Sequence, residues 1–290
     1  MRFKKSAVIF ALVLAAASSN AVLGQANASV ASGANDWDSR IVSTQGAVEV
    51  FPAGAAGPVA AGAGMPLEQG DRVTTGAGAS AEVGLDGLHL ISLNEDSDFV
   101  LRSDNRASTV LSLKSGGLLA KIQHLLSGQA LIVETPDAVA AVRGTEFGVD
   151  VSAQGATDVG VFDEGRVEVR GAQGGPSAIL TPNHETNVPR GGRPARPYAL
   201  RHFLRYRARM ARLLRRQQRL RRLWRRMPAA RRLSLRRAMM TRARARRARR
   251  FPGGRLKNLP APGRGRTQKR LQRRRRMFRK GRPNRWNQGG

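Results

Sequence analysis

The chain has 290 residues and a formal net charge of +31, and it contains no cysteine. The lack of cysteine excludes disulfides, thiolate metal sites, a cysteine nucleophile and a lipoprotein anchor. The charge is unevenly placed, since residues 201–290 hold 33 Arg and 3 Lys but no acidic residue, and the last acidic residue is Glu185. Two physically different segments therefore meet near residue 190.

The N-terminus has the three-part layout of a secretory signal peptide. Arg2, Lys4 and Lys5 precede an apolar run of 11 residues, 7–17, and small residues follow it. As a helix this run spans roughly 17 Å, which is too short for a hydrocarbon core of about 30 Å. We predict a signal peptide over residues 1–28, cleaved on export, and a flexible lead over residues 29–37. An uncleaved anchor is the alternative.

From Arg40 to about Leu180 the sequence follows a period of two, which is typical of short strands, and we assign residues 38–188 to one β domain. Residues 81–85 (AEVGL) alternate between apolar and other side chains, and the Asp86-Gly87 pair after them suits a two-residue hairpin turn. Further pairs, such as Gly116-Gly117, separate similar runs. Many short strands without a long amphipathic helix predict an all-β domain, built as a sandwich, a barrel or a solenoid.

Two motifs in this segment resemble the FecR domain. Residues 67–76 (LEQGDRVTTG) resemble the L-x-x-G-D-x-I-x-T-G opening of that family. Residues 134–147 (ETPDAVAAVRGTEF) are similar to its T-P-x-A-x-x-x-V-R-G-T-x-F signature. The resemblance extends from Asp38 to about Arg170. The matching positions, predicted to have structural roles, are Gly70, Asp71, Gly76, Pro136, Val142, Arg143, Gly144, Thr145 and Phe147.

The resemblance implies a β-solenoid-like periplasmic domain in a transmembrane signalling system. In that system, FecR-like proteins receive a signal from an outer-membrane receptor and control a sigma factor. This sequence departs from the pattern, because only 37 residues precede the resemblance and arginine-rich chain follows it. We expect no cytoplasmic sigma-binding segment here. The predicted function is an exported domain that binds a ligand or an envelope protein, and a part of a FecR-type regulatory system is the alternative.

Arg143 is the most distinctive side chain of the second motif. Its guanidinium carries five donors in a fixed fork, and Gly144 after it permits a tight bend. We predict that Arg143 clamps carbonyls or a carboxylate at this bend. Binding of an anionic ligand is the alternative role.

No motif indicates an enzyme, a cofactor or a metal. The four histidines (His89, His124, His184 and His202) do not share the spacing of metal ligands. Asp96 and Asp98 form a small acidic turn, but the glycine and distal glutamate of a calcium loop do not follow it. We predict a non-enzymatic protein without cofactor or metal.

The composition beyond residue 188 predicts three further segments. These are a Pro/Gly/Arg linker over residues 189–199, a basic helical region over 200–250 and a disordered low-complexity tail over 251–290. The domain over residues 38–188 is expected to fold without them. Within the helical region, apolar residues recur in steps of three and four, which predicts an amphipathic helix.

A basic amphipathic helix suits an anionic membrane surface, where each arginine contributes on the order of 1 kcal/mol. We predict that this helix tethers the protein to anionic lipid or another envelope polyanion. The residues assigned to this role are Phe203, Met210, Leu213, Leu220, Trp224, Arg215, Arg216, Arg221 and Arg222.

Three alternatives to a membrane tether remain open. The helix could dock on the protein's own β domain, which has the opposite net charge, or the whole tail could be solvated and disordered. Nucleic-acid binding is the rival class, because arginines bind any phosphate backbone. Export to the periplasm or the medium argues against it, since export removes the tail from chromosomal DNA and RNA.

Overall fold

The structure, a computed structural model, describes residues 36–123 and 125–250, without the side chains of residues 248–250. The predicted signal peptide, residues 29–35 of the predicted lead, His124 and the predicted low-complexity tail lie outside the described residues. Among the helices of the described ranges, none is long and apolar enough to cross a membrane.

The described chain is mostly β, with helices at its C-terminal end, as the sequence predicts. The strands are β1 (Ser39–Gln45), β2 (Val48–Phe51), β3 (Val59–Ala60), β4 (Arg72–Thr75), β5 (Ser80–Leu85), β6 (His89–Leu93), β7 (Asp98–Asp104), β8 (Ser108–Lys121), β9 (Ala130–Glu134), β10 (Ala138–Val142), β11 (Glu146–Val151), β12 (Thr157–Val161), β13 (Val167–Gly171), β14 (Ala178–Leu180), β15 (His184–Val188) and β16 (Tyr198–Ala199). A 3-10 helix (His202–Tyr206), α1 (Arg207–Leu223) and α2 (Ala229–Arg250) follow.

The long strand β8 joins the two halves of the sheet. Residues 108–115 of β8 lie between β7 and β9, and residues 116–121 lie between β6 and β11. The change of neighbours falls at Gly116, whose φ is +76° and where a Cβ would lie 2.5 Å from the Cα of Ser97. Only glycine suits this conformation and contact. The Gly116-Gly117 pair therefore lies inside one bent strand, and the prediction that it separates two strands is wrong.

Each half of the sheet runs outward from β8 on both sides. One half has the order β3-β2-β4-β7-β8-β9-β10-β13-β14, and the other has the order β1-β5-β6-β8-β11-β12-β15-β16. The β8–β9 pair is parallel, and the other ladders between these strands are antiparallel. The two orders place N-terminal strands on one side of β8 and C-terminal strands on its other side.

Both halves bury side chains in one apolar cluster. Val73, Phe99 and Leu111 come from one half, and Ile91 and Phe147 come from the other, all fully buried. The alternation of the strands explains this arrangement, since every second side chain of a strand points to the same face. The opposite face of β6, β8 and β11 is covered by Phe203 of the 3-10 helix and by α1.

The predicted linker over residues 189–199 is packed on the sheet. Strand β16 pairs with β15, and the N–H of Ala195 donates to the carbonyl of Asn187 at 2.9 Å. The hydroxyl of Thr186 donates to the carbonyl of Ala195 at 2.8 Å, and Leu200 is buried. Backbone pairing thus carries the chain from the β domain into the helices.

Candidate functional site

The helical segment begins with Phe203, which lies over two glycines on the sheet. Gly148 of β11 and Gly160 of β12 are register partners. A Cβ at Gly148 would lie 2.5 Å from the ring of Phe203, and a Cβ at Gly160 would lie closer still. Phe203 is fully buried, and its N–H donates to Oε2 of Glu185 at 3.2 Å. The paired glycines therefore form a slot for one aromatic ring, a close approach that strand glycines often allow.

Helix α1 continues this contact along the same face of the sheet. Met210 and Leu213 are buried against Leu90 and Leu119 in a second apolar cluster. The side chain of Gln217 donates to the carbonyl of Leu88 at 2.7 Å. The protein's own strands thus cover the apolar stripe of α1. This corresponds to the alternative in which the helix docks on the β domain of the same chain.

This packing corrects the role predicted for the stripe. Phe203, Met210 and Leu213 are at most 3% exposed, so they do not present an apolar face to a membrane. Leu220 is half-buried against the same cluster. The physical reason is that a glycine-lined sheet face offers these side chains an apolar contact within the same chain.

Trp224, at the end of α1, occupies a second glycine slot. A Cβ at Gly87 would lie 2.7 Å from the Cβ of Trp224, and one at Gly84 would lie 3.0 Å from its ring. The guanidinium carbon of Arg40 lies 3.8 Å from the centre of the indole, a cation–π contact. Trp224 therefore packs on the hairpin around Asp86-Gly87. It does not have the exposed position that its predicted role as a membrane anchor requires.

Helix α2 docks through two buried arginines in an acidic socket, which consists of Asp38, Glu68 and Asp71. Arg236 donates from both terminal nitrogens to the carboxylate of Asp71, with an Nη2–Oδ1 distance of 2.6 Å, and its Nε lies 3.2 Å from Oε2 of Glu68. Arg232 donates to Oδ1 of Asp38 at 3.1 Å. Such two-pronged bonds to a carboxylate are the strongest that arginine makes.

Asp38 and Asp71 of the socket are buried, whereas Glu68 is partly exposed. Asp71 is fully buried and also accepts the backbone N–H groups of Ala53 at 2.7 Å and Glu68 at 3.0 Å. Burial disfavours the charge of Arg236, but its hydrogen bonds to Asp71 and the nearby charges outweigh burial, so the pKa of Arg236 is raised. Burial raises the pKa of Glu68 despite the two arginines. Beside the socket, Met239 and Ala243 of α2 are buried in the main apolar cluster.

Helix α1 and the sheet also border a groove of about 1380 Å³. A row of five arginines, spaced three or four residues apart along the 3-10 helix and α1, lines it, and four carboxylates line the sheet side. The arginines are Arg205, Arg209, Arg212, Arg216 and Arg219, and the carboxylates belong to Glu82, Glu95, Asp150 and Asp158. Arg215 and Leu220 lie along the same groove.

Asp71 of the socket and the glycines of both slots lie within a segment that matches a known family. Residues 71–168 match the family model described as FecR protein. The chain contains a FecR domain. The match begins at Asp71 of the acidic socket, runs from β4 into β13 and covers about a third of the chain. The arginine-rich helices lie beyond the FecR match, yet they dock on residues within it.

Two solved structures are similar to part of the chain. They are crystal structures, at 1.65 Å and 2.50 Å resolution, of a proposed anti-sigma factor from Parabacteroides distasonis. Each is 18% identical, covers 46% of this chain and 61% of that chain, and gives a TM-score of 0.40. The chain thus spans about three fifths of the length of these structures. The comparison with curated proteins gives no match.

Within the FecR domain, Arg143 does not form the predicted clamp. Its side chain is exposed and makes no hydrogen bond or ion pair with the described residues. Strand β10 ends at the buried Val142, and Gly144, with φ of +59°, turns the chain after Arg143. Thr145 fastens the bend instead, because it is fully buried and its hydroxyl donates to the carbonyl of Glu164 at 2.6 Å.

The other motif positions of the FecR domain lie at turns or in the core. Gly70, with φ of +85°, donates its N–H to the carbonyl of Leu101 at 2.7 Å, and Gly76 donates to the carbonyl of Ala47 at 2.9 Å. Pro136 is exposed in the turn before β10. Phe147 is fully buried.

The remaining candidates for chemistry have structural partners. His89 is buried, its Nδ1 accepts the N–H of Gln123 at 3.1 Å, and burial lowers its pKa to about 4. In the acidic turn, Asp98 pairs with Arg72 at 2.6 Å, and Ser97 donates to the carbonyl of Asn94 at 2.9 Å. The described ranges contain no group of three His, Asp or Glu side chains able to hold a metal ion.

Proposed function

We propose that this protein is an exported, non-enzymatic component of a FecR-type regulatory system in the cell envelope. Its FecR domain binds an envelope partner, and its docked helices present arginines to an anionic surface. The observation that carries the proposal is that α1 and α2 bury Met210, Leu213 and Met239 on the β domain, while many of their arginines are exposed. The FecR match supports the regulatory class.

The arrangement of strands favours a sandwich-like domain over a solenoid. The two halves of the sheet share β8, and both bury side chains in one apolar cluster. A bent strand that belongs to both halves is a corner of the kind found where packed sheets meet. The partner surface of the domain is then one of its outer faces or edges.

Export is proposed from the signal-peptide pattern in residues 1–28. The proposed destination is the periplasm or the medium, after cleavage. N-terminal sequencing of the mature protein should find a start between residues 22 and 30. A protein that retains Met1 in the cytoplasm would exclude this destination and would favour nucleic acid as the partner of the arginines.

We propose that the outward arginines bind anionic lipid by charge, without insertion of apolar side chains. Arg221 and Arg222 on α1 and Arg237 on α2 are exposed and have no carboxylate partner among the described residues. Arg216 differs from them, because it pairs with Glu82 and borders the groove. Binding through exposed charges weakens as salt rises, since the Debye length falls from about 10 Å at 0.1 M to about 3 Å at 1 M.

Vesicle co-sedimentation of the full chain tests this surface. Binding should require anionic lipid, fall steeply with salt and weaken severalfold when Arg221, Arg222 and Arg237 are all replaced by Gln. No preference for anionic over neutral vesicles at low salt would exclude the lipid surface. Equal displacement by single-stranded DNA would show a general polycation instead.

A further inference from the structure

The groove between α1 and the sheet differs from the outward face of the helices, because its arginines converge on a concave space. We propose that this groove binds a phosphate-bearing anion between Arg209 and Arg212. This site is separate from the outward arginines, and it does not depend on their binding to a lipid surface.

The guanidinium of Arg209 is partly buried and makes no ion pair with a described carboxylate. It is half-buried, and its Nη2 donates to Oγ of Ser92 at 2.9 Å and to the carbonyl of Leu93 at 3.2 Å. Both acceptors are neutral, and no described carboxylate lies within ion-pair distance of it. Burial lowers the pKa of Arg209, because the lost hydration of the cation is only partly replaced. Three of its five N–H groups remain for a ligand.

Arg212 follows three residues later on the same helix face. Side chains at this spacing are neighbours, with Cβ atoms about 5–6 Å apart. Arg212 is exposed in the groove and makes no ion pair within the described ranges. Its positive charge also lowers the pKa of Arg209. The charges of Glu82 and Asp150 act on Arg209 in the opposite sense from beyond ion-pair distance. Neither guanidinium makes an ion pair in the described ranges, so both keep donors for an anion between them.

The arginines on either side of this pair already have partners. Arg205 donates to Oδ2 of Asp150 at 3.2 Å, and Arg216 pairs with Glu82. Asp150 and Glu82 therefore pair with the outer arginines of the row. Arg209 and Arg212, which lie between them, make no ion pair in the described ranges. At the sheet side of the groove, Asn94 is 7% exposed, and its amide oxygen has no partner in the described part of the chain.

Phosphate fits this arrangement better than a carboxylate. A phosphate group has three acceptor oxygens and up to two negative charges, so it can bridge two guanidinium forks at once. The phosphate could belong to a soluble ester or to a lipid headgroup, and the chemistry of the site is the same for both.

Calorimetric titration of the full chain with inorganic pyrophosphate tests the proposal. We expect saturable binding that the change of Arg209 and Arg212 together to Gln weakens at least about tenfold, or about 1.4 kcal/mol. The matched control changes Arg221 and Arg222 to Gln, which removes the same charge outside the groove and should change affinity less than about twofold. Equal weakening by both pairs, or an absence of saturable binding, would overturn the proposal.

Two further variants keep the test independent of folding. Arg212→Gln alone removes no described hydrogen bond, so its melting temperature should match that of the wild type while its affinity for pyrophosphate falls. Arg209→Lys keeps the charge but loses the fork, and should also bind more weakly. Unchanged affinity in Arg212→Gln would contradict the site.

Competition distinguishes the source of the phosphate. If short-chain phosphatidic acid, below its micelle concentration, displaces pyrophosphate, then the groove accepts a lipid headgroup. If glycerol phosphate displaces it and the lipid does not, then a soluble ester is the ligand. If neither competes, the pyrophosphate site is not selective for phosphate esters and the proposal fails. Loss of vesicle binding with pyrophosphate binding intact would instead count against the proposed function alone.

Discussion

Arg236 donates two hydrogen bonds to the carboxylate of Asp71, a residue 165 positions earlier in the chain, and the Nη2–Oδ1 distance is 2.6 Å. Asp71 is the first residue of the FecR match, whereas Arg236 lies well beyond its end. This pair links the arginine-rich helices to the FecR domain at a buried site. The helices are therefore a structural part of the folded domain.

We expect Asp71→Asn and Arg236→Gln each to lower the free energy of unfolding by about 3–5 kcal/mol, because each leaves a buried charge without its partner. The double variant should lose less than the sum of the two. Urea unfolding measures these values. Arg237→Gln, an exposed neighbour on the same helix, is the control and should cost less than about 0.5 kcal/mol. Strictly additive losses would show that the two residues act separately.

The glycine slot under Phe203 predicts an unusual sensitivity to one methyl group. Gly148→Ala places a Cβ 2.5 Å from the ring, so it should destabilise the fold by about 1–3 kcal/mol through overpacking. Gly62→Ala is the matched control, since no atom lies within 4 Å of the added Cβ and its φ is ordinary. Thermal unfolding compares the two variants. Similar melting temperatures for both would mean that Phe203 does not occupy the slot.

Burial of His89 predicts a loss of stability in mild acid. Its folded pKa of about 4 lies below the unfolded value of about 6.5. The contribution is therefore fully present above pH 6.5 and is lost as the pH falls toward 4, by about 3 kcal/mol in total.

The comparison of the wild type with His89→Gln isolates this effect. Asp104 has a pKa raised to about 6 by burial and gives the opposite trend, but it is present in both proteins. Denaturant unfolding from pH 7.5 to 4 should show that the wild type loses more stability than the variant. Parallel pH profiles would place His89 in contact with water.

Replacement of Thr145 should cost more stability than replacement of Arg143, although the sequence motif suggests the opposite. Arg143→Ala removes an exposed side chain without a described partner, so stability should change by less than about 0.5 kcal/mol. Thr145→Val removes a buried hydroxyl that bonds the carbonyl of Glu164, and should cost about 1–3 kcal/mol. Chemical denaturation of both variants checks this order. A larger loss in Arg143→Ala would restore the predicted clamp.

The sequence predicts the strands well, because alternating burial requires alternating apolar side chains, as in residues 81–85. It also predicts the helix around Leu213, since an apolar stripe requires a surface to cover it. It does not identify that surface, because the same stripe suits a membrane or a protein face. The informative signal was the pair of glycines in neighbouring strands, Gly148 and Gly160, which mark a close approach.

The buried arginines could not be identified from the sequence. Arg231 and Arg232 are adjacent arginines in the same sequence context. Arg231 is exposed to solvent, whereas Arg232 is buried in the acidic socket, with 5% of its surface exposed. Helical periodicity alone does not show which of the two arginines is buried, because that depends on where the fold places Asp38 and Asp71. The socket depends on contacts between residues that are more than 160 positions apart, so tertiary structure decides which arginines are buried.

Thermal unfolding of two shortened chains tests most directly whether the arginine-rich helices belong to the folded domain. A chain that ends at Arg250 keeps every described contact and should melt cooperatively at the temperature of the full protein. A chain that ends at Ala199 loses the buried Phe203, Met210 and Met239 and leaves the acidic socket without its arginines. We predict that it is strongly destabilised or unfolded. Cooperative melting of the Ala199 chain at the same temperature as the full protein would contradict this account.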